Sequence, residues 1–221
     1  MIRFFDIILS ALAIIIFFPL MIPIMIILKL TGEHDIFYRQ TRIGKKGKPF
    51  QVLKFATMLR DSPNMQGGLI TAPDDPRLLP MGKFLRKTKI NELPQLLNIF
   101  LGQMSFVGYR PFAKKHYDIY SDEIKLYINS IRPGLTGIGS IIFHNEEEML
   151  HSVSDREYFH DQVITPFKGK LECWYVKNRT IKNYFFIILC TALVILNPKH
   201  KNWMSYFKNI PSIPDELKIY V

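Results

Sequence analysis

The sequence predicts a mostly α-helical protein with few short strands, in which an N-terminal re-entrant membrane hairpin leads into a small cytosolic domain. Three observations predict it. An uncharged apolar run near the N-terminus contains two prolines, a shorter apolar run lies near the C-terminus, and apolar residues between them recur at helical spacing. A chain of 221 residues can bury one substantial core besides a membrane element. Residues 1–30 are therefore assigned to the membrane segment and 31–221 to a cytoplasmic domain.

From Ile7 to Leu28, 22 consecutive residues carry no charge, and about 20 suffice to span a bilayer as a helix. A cleaved signal peptide does not fit, because the run is too long and no small-residue cleavage site precedes Lys29. A straight single-pass helix and a bent helix returning to the same leaflet both satisfy the hydropathy. Pro19 and Pro23 favour the bend, since each removes a backbone donor and crowds the preceding turn. Arg3 precedes the run, and Lys29, Arg39, Arg42, Lys45, Lys46 and Lys48 come after it. A re-entrant path keeps both basic ends on the cytoplasmic side. Carbonyls freed at the bend need partners at depth, for which Ser10 is a candidate.

Composition changes after Leu30, placing the boundary near Thr31 and Gly32. Gly44 and Gly47 mark a Lys-rich surface turn, Phe50 to Phe55 reads as a short strand or helix start, and Asp61 to Pro80 as a surface loop. Leu93, Leu96, Leu97, Phe100 and Leu101 then recur at helical spacing, with Asn91 or a close neighbour as N-cap, Pro94 in the first turn and Gly102 as the stop. Tyr184 to Leu196 is uncharged over 13 residues, too short to span. A core helix and an in-plane interfacial helix are both open, and the flanking Lys182, Lys199, His200, Lys201 and Trp203 favour the interface.

A formal charge of +10 attracts phosphorylated substrates, acidic headgroups or nucleic acid. No basic stretch is interleaved with a nucleic-acid-reading aromatic motif, so nucleic acid is not an expected partner. Two cysteines, Cys173 and Cys190, suggest neither a disulfide framework nor a zinc site. P-loop and dinucleotide fingerprints are absent from the sequence. His144, Glu146, Glu147, Glu148 and His151 lack the H-E-x-x-H spacing and read as a solvated acidic helix face. The stretch from Asp74 to Pro111 is the informative one: Arg77, Arg86 and Arg110 accompany a helix start, a combination suited to a diphosphate. Solvated surface arginines are the alternative.

Over most of its length the chain resembles the monotopic phosphoglycosyl transferases of the bacterial sugar transferase family. The resemblance rests on Phe18-Pro19, Lys54-Phe55, Thr57-Met58, Asp74 through Arg77, Gly82, Leu85-Arg86, Thr88, Glu92 through Leu96, and Asn98. It continues through Gly102, Met104-Ser105, Val107-Gly108, Arg110-Pro111, Arg132-Pro133-Gly134, Thr136-Gly137, Trp174-Tyr175-Val176 and Asn178. It implies a helix-break-helix hairpin entered at Phe18-Pro19, and interfacial amphipathic helices that seat the site at headgroup level on the cytoplasmic face of the bacterial inner membrane. The implied reaction moves a sugar-1-phosphate from a nucleotide sugar, expected to be a UDP-sugar, to polyprenol (undecaprenyl) phosphate. That step begins the assembly of O-antigen, capsule, exopolysaccharide or glycoprotein glycans. Membrane lipids are implied partners, and self-association is compatible with the sequence.

In this family an Asp-Glu pair acts with Mg2+: the Asp attacks the β-phosphorus, the nucleoside monophosphate leaves, and polyprenol phosphate displaces the enzyme. Glu92 matches, but Asn91 stands at the Asp position, and a neutral amide is a weaker nucleophile and a poorer magnesium ligand. Glu92 could serve as nucleophile, as base or as metal ligand. Alternatively, the chain could be a weakly active or non-catalytic member that binds ligands or scaffolds other enzymes. Gln103 replaces a common Asp, and Tyr109 the first Pro of Gly-Pro-Arg-Pro. Arg86 and Arg110 are expected to clamp phosphate, Lys54 to support nucleotide or phosphate charge, and Thr88 to fix the helix start. Arg77 and Arg132 are further phosphate-binding candidates. Asp74, Asp75 and Arg77 could equally order their loop, and Arg132, Gly134, Thr136 and Gly137 could equally form a structural turn.

Overall fold

The computed structural model describes residues 1–65, 75–197, 204 and 206–220, with only the backbone at Pro63 and Glu147. The architecture is mostly helical with few strands and one N-terminal apolar helix, as expected. Two compact units divide it: Phe4–Thr41 with Gln51–Gly102 form one, and Met1–Arg3, Arg42–Phe50 and Gln103–Val221 form the other.

Helix α1 (Ile2–Leu30) is, among the described residues, the one helix long and apolar enough to cross a membrane. It runs without an unwound break through Pro19 and Pro23. Each proline deletes a single donor while its neighbours keep theirs, so any bend is taken up inside continuous helix. Ser10 does not serve carbonyls at the prolines, since its hydroxyl donates 2.5 Å back to the Asp6 carbonyl. Along most of α1 the side chains are exposed, including Leu12, Ile15, Ile16, Phe17 and Phe18. In its last third one face is buried while Ile22, Ile26, Ile27 and Leu30 stay exposed. Met21, Ile24 and Leu28 form a core cluster with Phe55 and Leu85, flanked by Ile36, Met81, Ile90 and Leu93.

Strands β1 (Phe37–Ile43) and β2 (Pro49–Phe55) pair around a turn in which Gly44 N–H donates to the Lys48 carbonyl (2.8 Å) and Gly47 takes φ +69°. The Lys-rich turn is therefore where the sequence placed it. After β2, residues 57–59 bridge to 77–79 through Leu79 N to Thr57 O (3.0 Å) and Leu59 N to Arg77 O (2.9 Å). Helix α2 (Gly82–Lys87) starts so close to this bridge that a Cβ on Gly82 would sit 2.2 Å from the Thr57 carbonyl oxygen. Lys89 then adopts φ +58°, ending the helical path before a 3-10 turn, Ile90–Glu92, and α3 (Gln95–Phe100).

In the second unit, β3 (Ser105–Val107) and β4 (Gly134–Thr136) pair in parallel, Ser105 opposite Gly134 and Val107 opposite Thr136. Between them lie α4 (Lys114–Asp118) and α5 (Asp122–Ser130), the latter capped by Ser121. Beyond β4 come α6 (Ile138–Ile142), α7 (Glu146–His151), α8 (Arg156–Tyr158), a π-helical turn (Phe159–Ile164), α9 (Thr165–Lys177) and α10 (Ile181–Leu196). Tyr175 and Thr191 fasten α9 and α10 to the small sheet through Val107 O and Thr136 Oγ1. At about 1.5 Å per residue α10 is still too short to span a bilayer. Tyr184, Ile187, Cys190 and Val194 are buried on one face, while Phe185, Leu189, Leu193, Ile195 and Leu196 remain exposed. The expected flanking Lys199, His200, Lys201 and Trp203 lie outside the described residues.

Candidate active site

Elements around the end of α1 bring Lys54 and Glu92 together. Lys54 lies on β2, which is held against α3 by Asn98: its Oδ1 accepts from Leu53 N–H (3.0 Å) and its Nδ2 donates to the Gln51 carbonyl (2.7 Å). A side chain thus takes the place of a neighbouring strand. With β2 fixed, Lys54 Nζ reaches Glu92 Oε1 at 3.4 Å, the two side chains 20% and 15% exposed. Glu92 sits in the 3-10 turn, and beside it Asn91 is buried, its Oδ1 receiving no hydrogen bond among the described residues. A buried oxygen without a donor is costly, on the order of 1–3 kcal/mol, which suits a position awaiting a ligand or ion.

Asn91 is not the N-cap of α3. That helix begins after Pro94, three residues later than the spacing suggested, and no side chain caps it. Thr88 also acts elsewhere than expected: its hydroxyl donates to the Phe84 carbonyl (2.8 Å) and ties down the end of α2, not the start of the 3-10 turn or of α3. Arg86, in the last turn of α2, is half-buried with Nη1 3.6 Å from Met58 Sδ.

Arg77 sits in the interior. Its guanidinium donates to both Asp75 carboxylate oxygens, Nε to Oδ1 at 2.8 Å and Nη2 to Oδ2 at 2.5 Å, and Nη1 donates to Ser62 O at 2.8 Å. This is the loop-ordering role left open by the sequence, and it occupies the face that would grip a phosphate. Asp74 lies outside the described residues.

Arg110 and Arg132 belong to the other unit. There Gly134 N–H donates to the Tyr109 carbonyl (2.8 Å), and a Cβ on Gly108 would meet Arg132 O at 2.4 Å, so the segments bearing the two arginines run side by side. Arg110 is exposed and Arg132 half-buried. Tyr109 is buried in the core; burial, then Tyr117 and Glu172, push its phenol far above the usual tyrosine range. Glu148 and His151 on α7, and His144 just before it, are exposed as expected of a solvated face. Glu146 is not: Lys168 Nζ draws it inward at 2.6 Å. Burial opposes its charge, yet Lys168, His160 and Arg110 hold its carboxyl below the ordinary glutamate value.

The donor atoms near α1 are of the kind a magnesium ion would take. Mg2+ takes hard oxygen ligands and is commonly held by one or two protein groups, with water and substrate phosphate completing the shell. Glu92 offers a carboxylate and Asn91 an amide oxygen without a partner among the described residues. The Lys54 ammonium meets Glu92 at Oε1, and a carboxylate has lone pairs enough to be shared between an ammonium and a metal. Asn98 is the positioning residue that sequence reasoning missed; its match to the family pattern was the only signal, and it named no partner.

Residues 1–198 match the profile of a family described as bacterial sugar transferase. An uncharacterized sugar transferase of Haemophilus influenzae is 34% identical over 209 residues, which cover 88% of this chain and 41% of that protein. The undecaprenyl-phosphate galactose phosphotransferase of Salmonella typhimurium is 33% identical over 208 residues, 88% of this chain and 40% of the relative. For the UDP-glucose:undecaprenyl-phosphate glucose-1-phosphate transferase of Escherichia coli the identity is 35% over 162 residues, 72% of this chain and 35% of the relative. The chain therefore spans about two fifths of the length of the first two relatives.

Proposed function

The chain belongs to the bacterial sugar transferase family, and from that membership we propose that it transfers a sugar-1-phosphate from a UDP-sugar to undecaprenyl phosphate. The products are undecaprenyl diphosphate sugar and UMP. The bond broken joins the β-phosphorus to the oxygen bridging the two phosphates, which leaves with UMP, and a lipid phosphate oxygen ends bonded to the β-phosphorus. The single observation that carries the proposal is the placement of Lys54, Asn91 and Glu92 on elements packed against the last third of α1. A site at the foot of an apolar helix can take a soluble diphosphate donor and a lipid-borne phosphate at one depth.

Within this reading Glu92 is the reacting or proton-accepting carboxylate, Asn91 and Glu92 would hold Mg2+, and Lys54 offsets phosphate charge. When bound, the ion would neutralise charge developing on the diphosphate. Arg86, Arg110 and Arg132 are the phosphate-binding candidates; Arg77, engaged with Asp75, is withdrawn from that set. The proposed topology is a re-entrant α1, bent at Pro19 and Pro23, with the exposed apolar face of α10 lying in the interface of the cytoplasmic leaflet.

A second reading comes from Asn91, which lacks the carboxylate of its family counterpart: the chain binds both substrates without turnover. UMP release by the purified protein with Mg2+, undecaprenyl phosphate and a panel of UDP-sugars separates the two. Transfer predicts lipid-dependent UMP, lowered about 100-fold or more by Glu92→Gln, and turnover kept or raised by Asn91→Asp. Ligand-induced stabilisation without UMP from any donor favours binding alone.

A further inference from the structure

Within the unit that holds the small parallel sheet, three side chains with metal-ligating atoms converge away from Lys54 and Glu92. His116 comes from α4, and His160 and Asp161 from the π-helical turn. One ligand atom of each lies within 4.8 Å of the other two. Asp161 Oδ1 is 2.6 Å from His160 Nδ1 and 3.5 Å from His116 Nδ1, and the two imidazoles meet edge to face with centroids 4.7 Å apart. Exposures of 13% for His116, 12% for His160 and 16% for Asp161 make the cluster sheltered yet reachable.

Two features set it apart from an ordinary polar cluster. In an α-helix, neighbouring side chains diverge and do not face a common point. The π-helical turn widens the backbone so that consecutive residues, His160 and Asp161, both address His116, and such turns recur at functional sites. In addition, His116 Nδ1 is buried, with Asp161 Oδ1 at 3.5 Å and no well-formed hydrogen bond among the described residues. That nitrogen is placed to ligate.

The surroundings supply what a ligating imidazole needs. His160 Nε2 is 3.7 Å from Glu146 Oε1, itself held by Lys168 at 2.6 Å. At 3.7 Å this carboxylate lies beyond hydrogen-bond distance and acts on the ring through its charge. Arg42 bears on His116 and Arg110 on Glu146, so the positive groups balance the two carboxylates. Hard cations want several carboxylates, whereas imidazole nitrogen suits zinc and its neighbours.

The geometry points to a tetrahedral divalent transition-metal site, of Zn2+ type, with His116, His160 and Asp161 as protein ligands and water in the fourth position. Ligand atoms around zinc at about 2.0–2.1 Å stand roughly 3.4 Å apart, close to the 3.5 Å between His116 and Asp161. The shorter His160–Asp161 contact exchanges its proton for the ion and opens by under about 1 Å. The ion would clip α4 to the π-helical turn, independently of the transferase reading.

The test uses the untagged full chain in nanodiscs, stripped with chelator and titrated with Zn2+ by calorimetry and with Co2+ by visible absorption. Expected are one saturable equivalent, tetrahedral Co2+ bands, a raised unfolding temperature, and an affinity about tenfold or more weaker in His116→Asn and in Asp161→Asn. His151→Ala, on an exposed ring, retains wild-type binding. X-ray absorption of the wild-type zinc form should count two imidazoles, which keeps the test independent of variant folding. No saturable binding at micromolar Zn2+, or unchanged affinity in the two ligand variants, overturns the site.

Discussion

Replacing Arg77 distinguishes a substrate ligand from a structural element. Its side chain is 2% exposed and that of Asp75 5%, joined through a two-pronged contact whose shorter arm is 2.5 Å. Truncating one member of such a buried pair strands the other's charge and costs about 3–5 kcal/mol. For a chain of this size each kcal/mol lowers the unfolding temperature by about 2–4 °C, so Arg77→Ala should lose roughly 6–20 °C. Asp75→Ala should lose a similar amount, and the double variant clearly less than the two combined, with a coupling of about 1 kcal/mol or more. Thermal unfolding in detergent gives these values, and steady-state UMP release at permissive temperature gives KM for the UDP-sugar. The reasoning predicts a large stability loss with KM nearly unchanged. An Arg77→Ala protein that melts like wild type but binds the sugar nucleotide tenfold more weakly refutes it.

Asn98→Ala removes both surrogate strand bonds and leaves Leu53 N–H and the Gln51 carbonyl without that partner; a loss of about 2–4 kcal/mol is expected, and Asn98→Asp should recover only the accepting half. Denaturation of the two variants checks this, with equal stability to wild type as the contrary result. Burial raises Glu172 to about 8, Lys168 opposing weakly. The folded state thus favours the protonated acid, so this contribution is full below the unfolded value near 4.5 and is lost as pH rises toward about 8. Glu172→Gln should therefore gain stability over wild type progressively from pH 5 to pH 8 and level off above, and a gain independent of pH, seen by thermal unfolding, counts against the assignment. For topology, Arg3→Cys and Glu33→Cys in a background lacking Cys173 and Cys190 should label from the same side of sealed vesicles; labelling from opposite sides would establish a spanning α1.

Features governed by local chemistry were legible in the sequence. The uncharged run announced α1, and the shorter run announced α10, because nothing polar enough to break either helix interrupts it. Gly44 and Gly47 announced a surface turn, though not that it joins two paired strands, and Gly47 takes the positive φ there. The start of α3 was misplaced because Lys89 takes a left-handed conformation that its side chain does not advertise, and the chain spends Ile90–Glu92 in a 3-10 turn before Pro94. Arg77 was ambiguous because burial decides whether a guanidinium meets a phosphate or an aspartate, and burial is set by distant segments. The same holds for Asn98, whose partners are Gln51 and Leu53. His116 and His160 are far apart in sequence, and the π-helical turn that aligns His160 with Asp161 has no signature that spacing could reveal. Glu146 read as one of several solvated acids because Lys168, which draws it inward, comes from α9.

Mass spectrometry of the lipid fraction is the most direct measurement of the transfer itself. Purified protein incubated with Mg2+, undecaprenyl phosphate and an accepted UDP-sugar should convert the lipid to a species heavier by one sugar phosphate, in amounts equal to the UMP formed, and Glu92→Gln should leave the lipid unchanged. Undecaprenyl phosphate recovered unmodified with every donor, from protein that both ligands stabilise, would contradict transfer and leave a binding protein in its place.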